Sequence, residues 1–286
     1  MWQKTKDALR AAHHRGRMTI GNQDRVMPGC VIVGAQKAGT TSLFAYLAQH
    51  PQMLEPSSKE VHYFDYNYHR GEDWYRAHFP KRGDLDAAAE AANGPAMTFE
   101  ASPYYMYHPL AVDRMAADLP GVRAIAMLRH PISRTYSHFW HEKRKDQDAT
   151  ELARAIAEEP ERLAGEAEKL IAGAPDYYSY AHQHYSYVDR SRYAPQIRNL
   201  YEKLGRENVL VMKSEAFFTD PEGQTNRAFE FLGLPPADGI DYAPQNVGSY
   251  GDRIDAETVA LLTDMFAEDY AGLRELAGPE FDWFEE

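Results

Sequence analysis

The sequence has a single cysteine, Cys30, in 286 residues. No intrachain disulfide can form, and no paired-cysteine or Cys/His zinc spacing exists. That scarcity fits a reducing compartment, and the expected location is the cytoplasm. Long apolar runs are also lacking. No stretch approaches the roughly 18 apolar residues needed to cross a bilayer, so no transmembrane segment is expected. Residues 1–28 lack the apolar centre of a signal peptide. Lys4, Lys6, Arg10, Arg15, Arg17 and Arg25 outnumber Asp7 and Asp24 there, and the segment reads as a polar N-terminal arm. Positive charge is scarce overall: 31 Lys and Arg against 43 Asp and Glu leave a net charge of −12. That balance argues against nucleic acid as a partner and against a heavily anionic polymer as substrate. Any anion site must be built from a local concentration of basic residues.

What is present is ordinary globular material, 44% hydrophobic and 26% charged, in a chain long enough to bury a substantial core. The run Gly29-Cys30-Val31-Ile32-Val33-Gly34 is short, β-branched and bounded by glycines, so it reads as a buried strand. Helical periodicity follows from Thr41 to His50 and stops at Pro51. Residues Val122 to Leu128 and Val209 to Met212 form two further apolar strands, and Ala96 to Glu100 is a shorter fourth. An amphipathic helix is expected from about Ser133, and another from Tyr193 to Leu204 with Gly205 as its cap. Strands alternating with helices predict an α/β fold, a parallel sheet flanked by helices in one domain over 29–286. Residues 148–193 begin with an Ala/Glu-rich stretch that reads as one or two peripheral helices. They continue into the ring-dense Tyr177 to Tyr187, whose polar-tipped aromatics suit either packing or stacking on an acceptor.

The loop Gly34-Ala35-Gln36-Lys37-Ala38-Gly39-Thr40-Thr41-Ser42 joins the first strand to the first helix. Such a loop is an anion site, because unpaired N–H groups of the first helical turn point outward and the helix dipole adds positive charge. Gly34 and Gly39 admit close backbone approach, Lys37 adds a point charge, and Thr40, Thr41 and Ser42 add hydroxyl donors. The register differs from the nucleoside-triphosphate motif G-x-x-x-x-G-K-[ST]: Thr40 follows the second glycine, and the lysine lies two residues before it. The strand ending at Leu128 runs into Arg129, where a magnesium-holding Asp would be needed. A small-molecule kinase is therefore the weaker alternative, and no metal is expected.

These residues resemble the family of sulfotransferases that use 3′-phosphoadenosine 5′-phosphosulfate (PAPS). The family loop G-x-x-K-x-G-[ST]-[ST] is matched by Gly34 to Thr41. Its 3′-phosphate signature, a strand ending in Arg with Ser eight residues later, is matched by Arg129 and Ser137. Lys59-Glu60-Val61-His62-Tyr63-Phe64-Asp65 and Glu100-Ala101-Ser102-Pro103-Tyr104-Tyr105 resemble the heparan-sulfate-type and related bacterial branch, as does the ending from Asn246 to Trp283. The resemblance implies a sulfotransferase fold of the P-loop nucleotide-kinase type. It implies PAPS as co-substrate, its product PAP (adenosine 3′,5′-bisphosphate), and a hydroxylated acceptor, carbohydrate-like or small. Cofactor contacts are then expected from Gln36, Lys37, Ala38, Gly39, Thr40, Thr41, Ser42, Arg129, Ser137, Tyr250, Gly251 and Arg253.

In-line sulfuryl transfer needs a base for the acceptor proton and a cation at the departing phosphate. Lys37 suits the second task. The resemblance assigns the first to Glu60, and His62 competes because its unperturbed pKa lies nearer neutrality. If the segment is a strand, Glu60 and His62 share one face. A non-enzymatic PAP or PAPS binder is a further alternative, which the presence of Glu60 and His62 opposes. Heparan-sulfate enzymes carry a lysine after the glutamate of the Glu100 segment; here Ala101 stands there, which weighs against a sulfated glycosaminoglycan acceptor. Lys143-Arg144-Lys145 reads as a solvated helix end, and Phe281, Trp283 and Phe284 as anchors of the chain end in the core.

Overall fold

The computed structural model describes residues 22–145, 150–245 and 254–284. Five strands lie in one sheet: β1 Cys30–Gly34, β2 Met53–Leu54, β3 Met97–Ala101, β4 Arg123–Leu128 and β5 Val209–Lys213. Their spatial order is β2-β3-β1-β4-β5, and every pairing is parallel. Cys30 is the register point, opposite Phe99 on one side and Arg123 on the other. All five residues of β1 are buried, which explains why its sequence is a continuous apolar run rather than an alternating one. Burial pushes the Cys30 thiol up to about 12, so it is an inert core residue.

The α-helices, in chain order, are α1 Thr40–Leu47, α2 Glu72–Arg76, α3 Arg82–Ala92, α4 Ala111–Asp118, α5 Pro131–Lys143, α6 Leu152–Leu163, α7 Glu166–Ala172, α8 Tyr180–His184, α9 Ala194–Leu204, α10 Ser214–Thr219, α11 Pro221–Phe231 and α12 Ala256–Ala277. Helix α1 packs on α11 and β3, whereas α9 packs on α4 and α12. Pro131 stands in the first turn of α5, where its missing N–H costs nothing, and Gly205 ends α9 at φ 84°. The two-residue β2 was not legible in the sequence: Met53-Leu54 is too short to show a period.

An all-parallel sheet sends the loops after β1, β3, β4 and β5 to one end. Those loops begin at Ala35, Ser102, Arg129 and Ser214. The chain end seals the same region. Phe281 and Trp283 are buried, and the Trp283 indole N–H donates to Glu215 at 3.0 Å. The other Glu215 oxygen accepts from the His130 N–H at 2.9 Å, so one carboxylate ties α10, the start of α5 and the C-terminal segment together.

Candidate active site

At the carboxyl end of the sheet lies a cavity of about 980 Å³. One wall is the β1–α1 loop: Gln36, Lys37, Gly39, Thr40 and Thr41 all line it. Gly39 caps α1 at φ 96°, and no side chain caps that helix end. Its first-turn N–H groups therefore remain available to an anion. A Cβ on Gly39 would stand 2.9 Å from the Phe218 ring, so this glycine is required both by its backbone angle and by close packing. Lys37 also takes a left-handed conformation, at φ 73°. Ala38 and Ser42 are wholly buried and do not line the cavity. The Ser42 hydroxyl is engaged elsewhere, accepting the Gln245 N–H at 3.0 Å, and so fastens α1 to the segment before residue 246.

Arg129 enters from the end of β4, and its Nη1 donates to the Lys37 carbonyl at 3.2 Å. Its own carbonyl accepts the Tyr193 hydroxyl at 2.9 Å, which fixes the strand-to-helix turn. Ser133, one turn into α5, lines the cavity. Ser137, one turn further, is fully buried and is not among the lining residues. Tyr250, Gly251 and Arg253 lie outside the described residues.

Glu60 and His62 also line the cavity. The strand expected for this segment is not formed. Glu60 and His62 sit in a loop at φ 60° and 56°, so the shared cavity does not come from strand alternation. Left-handed backbone at two non-glycine residues is costly and persists only where surroundings enforce it. Here the end of β3 enforces it. The Glu60 N–H donates to the Ala101 carbonyl at 3.0 Å, the His62 N–H to Ser102 Oγ at 3.1 Å, and the Tyr63 N–H to the Tyr105 hydroxyl at 2.7 Å. Ser102 and Tyr105 in turn donate to Glu100 Oε1 at 2.6 and 2.7 Å, and the Tyr75 hydroxyl donates to Oε2. Glu100 is thus a buried hub that satisfies three hydroxyls and orients the loop through two of them. Burial pushes its carboxyl pKa up, with the hydroxyl donors working against that.

His62 lies between two carboxylates, Nδ1 at 2.6 Å from Asp65 Oδ2 and Nε2 at 3.7 Å from Glu60 Oε2. Burial alone would lower its pKa; the Asp65 and Glu60 carboxylates outweigh that and lift it to about 9. Burial likewise would raise Glu60, but His62 and Lys59, whose Nζ is 2.6 Å away, hold it at about 2. At neutral pH the site is therefore an imidazolium clasped by two carboxylates, with one Glu60 oxygen on Lys59.

Several lining residues escaped the sequence reading. His141 and Lys145 arrive from the last turn of α5 and just beyond it, and His184 and Arg190 from the segment around α8. Arg144 and Lys145 are exposed, as the solvated-end reading of Lys143-Arg144-Lys145 has it, and Lys145 also lines the cavity. Lys143 does face outward, donating to the Thr150 carbonyl at 3.0 Å. Burial, then the nearby Lys37 charge, lowers His141 to about 4, so its ring is neutral beside that lysine. A four-residue basic spacing along α5 was the available signal for these positions. Among the described residues no group of three or more His, Cys, Asp and Glu is arranged to hold a metal ion.

A glycine-capped helix end, a lysine, an arginine and an ion-paired carboxylate line this one cavity, an arrangement suited to an anionic ligand. The sulfotransferase domain family matches residues 28–245, and the chain belongs to that family. It is 33% identical over 113 residues to the membrane-associated sulfotransferase kil1 of Dictyostelium discoideum, covering 40% of this chain and 22% of that protein. It is 28% identical over 227 residues to the bifunctional heparan sulfate N-deacetylase/N-sulfotransferase 1 of Xenopus laevis, covering 75% of this chain and 23% of that one. The chain thus spans less than a quarter of the length of these curated relatives. A solved sulfotransferase from Alicyclobacillus acidocaldarius shares the fold at a TM-score of 0.67 and 26% identity, over 88% of this chain and 96% of that one.

Proposed function

We propose that the chain transfers the sulfuryl group of PAPS to a hydroxyl of a carbohydrate-like or small-molecule acceptor. The observation that carries this reading is the convergence on one cavity of the Gln36–Thr41 cradle, Arg129 and the ion-paired Glu60. The residues present fit the co-substrate. Gln36 Oε1 is buried with no hydrogen-bond partner among the described residues, as expected of a group awaiting a ligand. The helix end with Lys37, Thr40 and Thr41 suits the 5′-phosphosulfate, and Arg129 the 3′-phosphate by bidentate contact. Ser137, Tyr250, Gly251 and Arg253 remain part of the proposed cofactor set, and Ser133 joins it as a cavity-lining hydroxyl on α5.

Bound PAPS supplies the sulfuryl group and a phosphate leaving group. Lys37 stabilises the charge that develops on that phosphate as its bond to sulfur breaks. Glu60 accepts the acceptor hydroxyl's proton as the new sulfur–oxygen bond forms. What supports Glu60 over His62 is charge state: a ring lifted to about 9 already carries its proton at pH 7, whereas a carboxyl held at about 2 is ionised. His62 then acts by positioning Glu60, with Asp65 behind it. Residues 148–193, which include α6, α7 and α8, are proposed as the acceptor side of the domain that follows the 1–28 arm. Cytoplasmic residence belongs to the same proposal and rests on the lone, buried cysteine. Calorimetry with PAP is the direct test. Micromolar or tighter PAP binding without metal is expected; no PAP binding, with magnesium-dependent ATP binding in its place, would sink the reading in favour of a kinase.

A further inference from the structure

The same cavity carries a second carboxylate-backed imidazole, His184. Glu142, in the last turn of α5, is buried, with 1% of its side chain exposed. Its Oε2 lies 3.0 Å from His184 Nδ1. Its Oε1 has no hydrogen-bond partner among the described residues; the Nε2 atoms of His138 and His141 are each 3.8 Å away. Neither ring is a cation. Burial takes His138 well below its ordinary value, and burial with Lys37 takes His141 to about 4. A buried carboxylate with half its capacity unmet is expensive, and stability alone favours replacing it by an apolar or amide side chain. What it does accomplish is orientation: a carboxylate oxygen only accepts, so the His184 nitrogen facing it must donate.

With Nδ1 turned to Glu142, His184 Nε2 faces the Tyr178 hydroxyl at 3.0 Å. His184 lines the cavity; Tyr178 is 44% exposed and does not. The Tyr178 hydroxyl is therefore a replaceable partner. Aromatic contacts lead from here back to the reacting end. Tyr178 packs edge-on against Tyr66 at 5.7 Å, and Tyr66 stacks on His62 at 4.6 Å. Tyr180 covers the other side of His184 at 4.4 Å. Two tyrosine rings thus separate the imidazole beside Glu60 from the imidazole on Glu142.

We infer that His184, held in one tautomer by Glu142, binds a second hydroxyl of the acceptor while a first is presented to Glu60. This deepens the transfer reading and rests on it. It commits the acceptor to the polyhydroxylated class, such as a saccharide, and disfavours a monohydric phenol. His184 is the binding residue; Glu142 is a positioning residue.

The test uses the full chain. PAP calorimetry on wild type, His184→Phe and Glu142→Gln reads the cofactor end first, and Kd values within about twofold of one another are expected. Transfer from labelled PAPS is then measured to cellotetraose and chitotetraose, and to 4-nitrophenol. Wild type is expected to turn over an oligosaccharide in preference to the phenol. His184→Phe should raise the oligosaccharide KM about tenfold, the loss of one hydrogen bond, while kcat changes by less than about threefold. His184→Gln, which keeps an acceptor atom, should recover part of that loss. Ring-nitrogen NMR of histidine-labelled protein should show the Nδ1-protonated form of His184 in wild type and a different distribution in Glu142→Gln. Phenol turnover with no oligosaccharide turnover overturns the inference, as does His184→Phe acting on kcat alone or not at all. An Nε2-protonated His184 in wild type also overturns it, and so does a tautomer that Glu142→Gln leaves unchanged. Wild-type protein that fails to bind PAP overturns the transfer reading beneath it, and this inference with it; with PAP bound, a failure belongs to this inference alone.

Discussion

Replacing His62 with glutamine removes the positive charge 3.7 Å from Glu60 while leaving Lys59 in place. A unit charge at that separation interacts by about 1 kcal/mol in water and about 4.5 kcal/mol at an effective dielectric of roughly 20. The Glu60 side chain is 45% exposed, so screening places the effect in the lower part of that range. At 1.36 kcal/mol per unit, the Glu60 pKa should rise by about 1 to 2 units, from about 2 toward the ordinary carboxyl value of 4.5. Carbon-13 NMR of glutamate-labelled protein, with Glu60 assigned by the signal lost in Glu60→Gln, reads this directly. In wild type the signal should still be that of the ionised form at pH 3; in His62→Gln it should titrate between about 3 and 4. Folding stability supplies a second reading. His62 is raised on folding from 6.5 to about 9, so its contribution is complete below 6.5 and is lost as pH rises through 9. Between pH 6 and pH 9.5 wild type should lose urea resistance that His62→Gln does not lose. A Glu60 pKa within about 0.3 unit of wild type in the variant, or identical pH dependence of unfolding, would refute the clasped-imidazolium account.

Three further outcomes follow from the same geometry. Lys37→Ala should lower kcat by about 100- to 1,000-fold, the usual effect of deleting one charge-stabilising donor, and steady-state transfer from PAPS measures it. Gly39→Ala forces a Cβ at φ 96° and within 2.9 Å of the Phe218 ring. It should cost about 1–2 kcal/mol in thermal unfolding from the backbone angle alone and weaken PAP binding; adding Phe218→Ala should relieve the clash but not the backbone cost. Tyr105→Phe removes the donor to Glu100 and strands the Tyr63 N–H. A loss of about 2–3 kcal/mol in urea denaturation is expected, with transfer activity falling as the Glu60 loop loosens.

Much of the fold was legible because its signals are local. The buried run at Cys30–Val33, the Gly39 cap and the helix entered through Pro131 each declare themselves within a few residues, and four of five strands fall where the apolar runs stand. The candidate site was legible only where it rides on those elements, as Lys37 and Arg129 do. Glu60 and His62 do reach one cavity, but by a different route: β3 imposes left-handed backbone on both through Ala101 and Ser102, a constraint some forty positions away in sequence. His184 and Glu142 meet across a separation of 42 residues, and nothing in either neighbourhood announces the other. Local periodicity carries no information about such pairings.

The net charge of −12 also needs reinterpretation. An acidic chain was expected to disfavour nucleic acid and a heavily anionic polymer, with any anion site built from local basic residues; among the described residues the cavity is lined by Lys37, Arg129, Lys145 and Arg190 against Glu60 and Glu215. Both acids are already engaged. Glu60 faces Lys59 and His62, and Glu215 accepts from His130 and Trp283. Four cationic side chains thus meet at one cavity, beside a helix N-terminus whose dipole has the same sign. Low-dielectric walls focus that field into the cavity, while acidic surface elsewhere repels anions from wrong sites. Net charge and site charge therefore differ in sign: a chain of net charge −12 brings four cationic side chains to one cavity, and the field of such a cavity acts on a compact anion that can enter it.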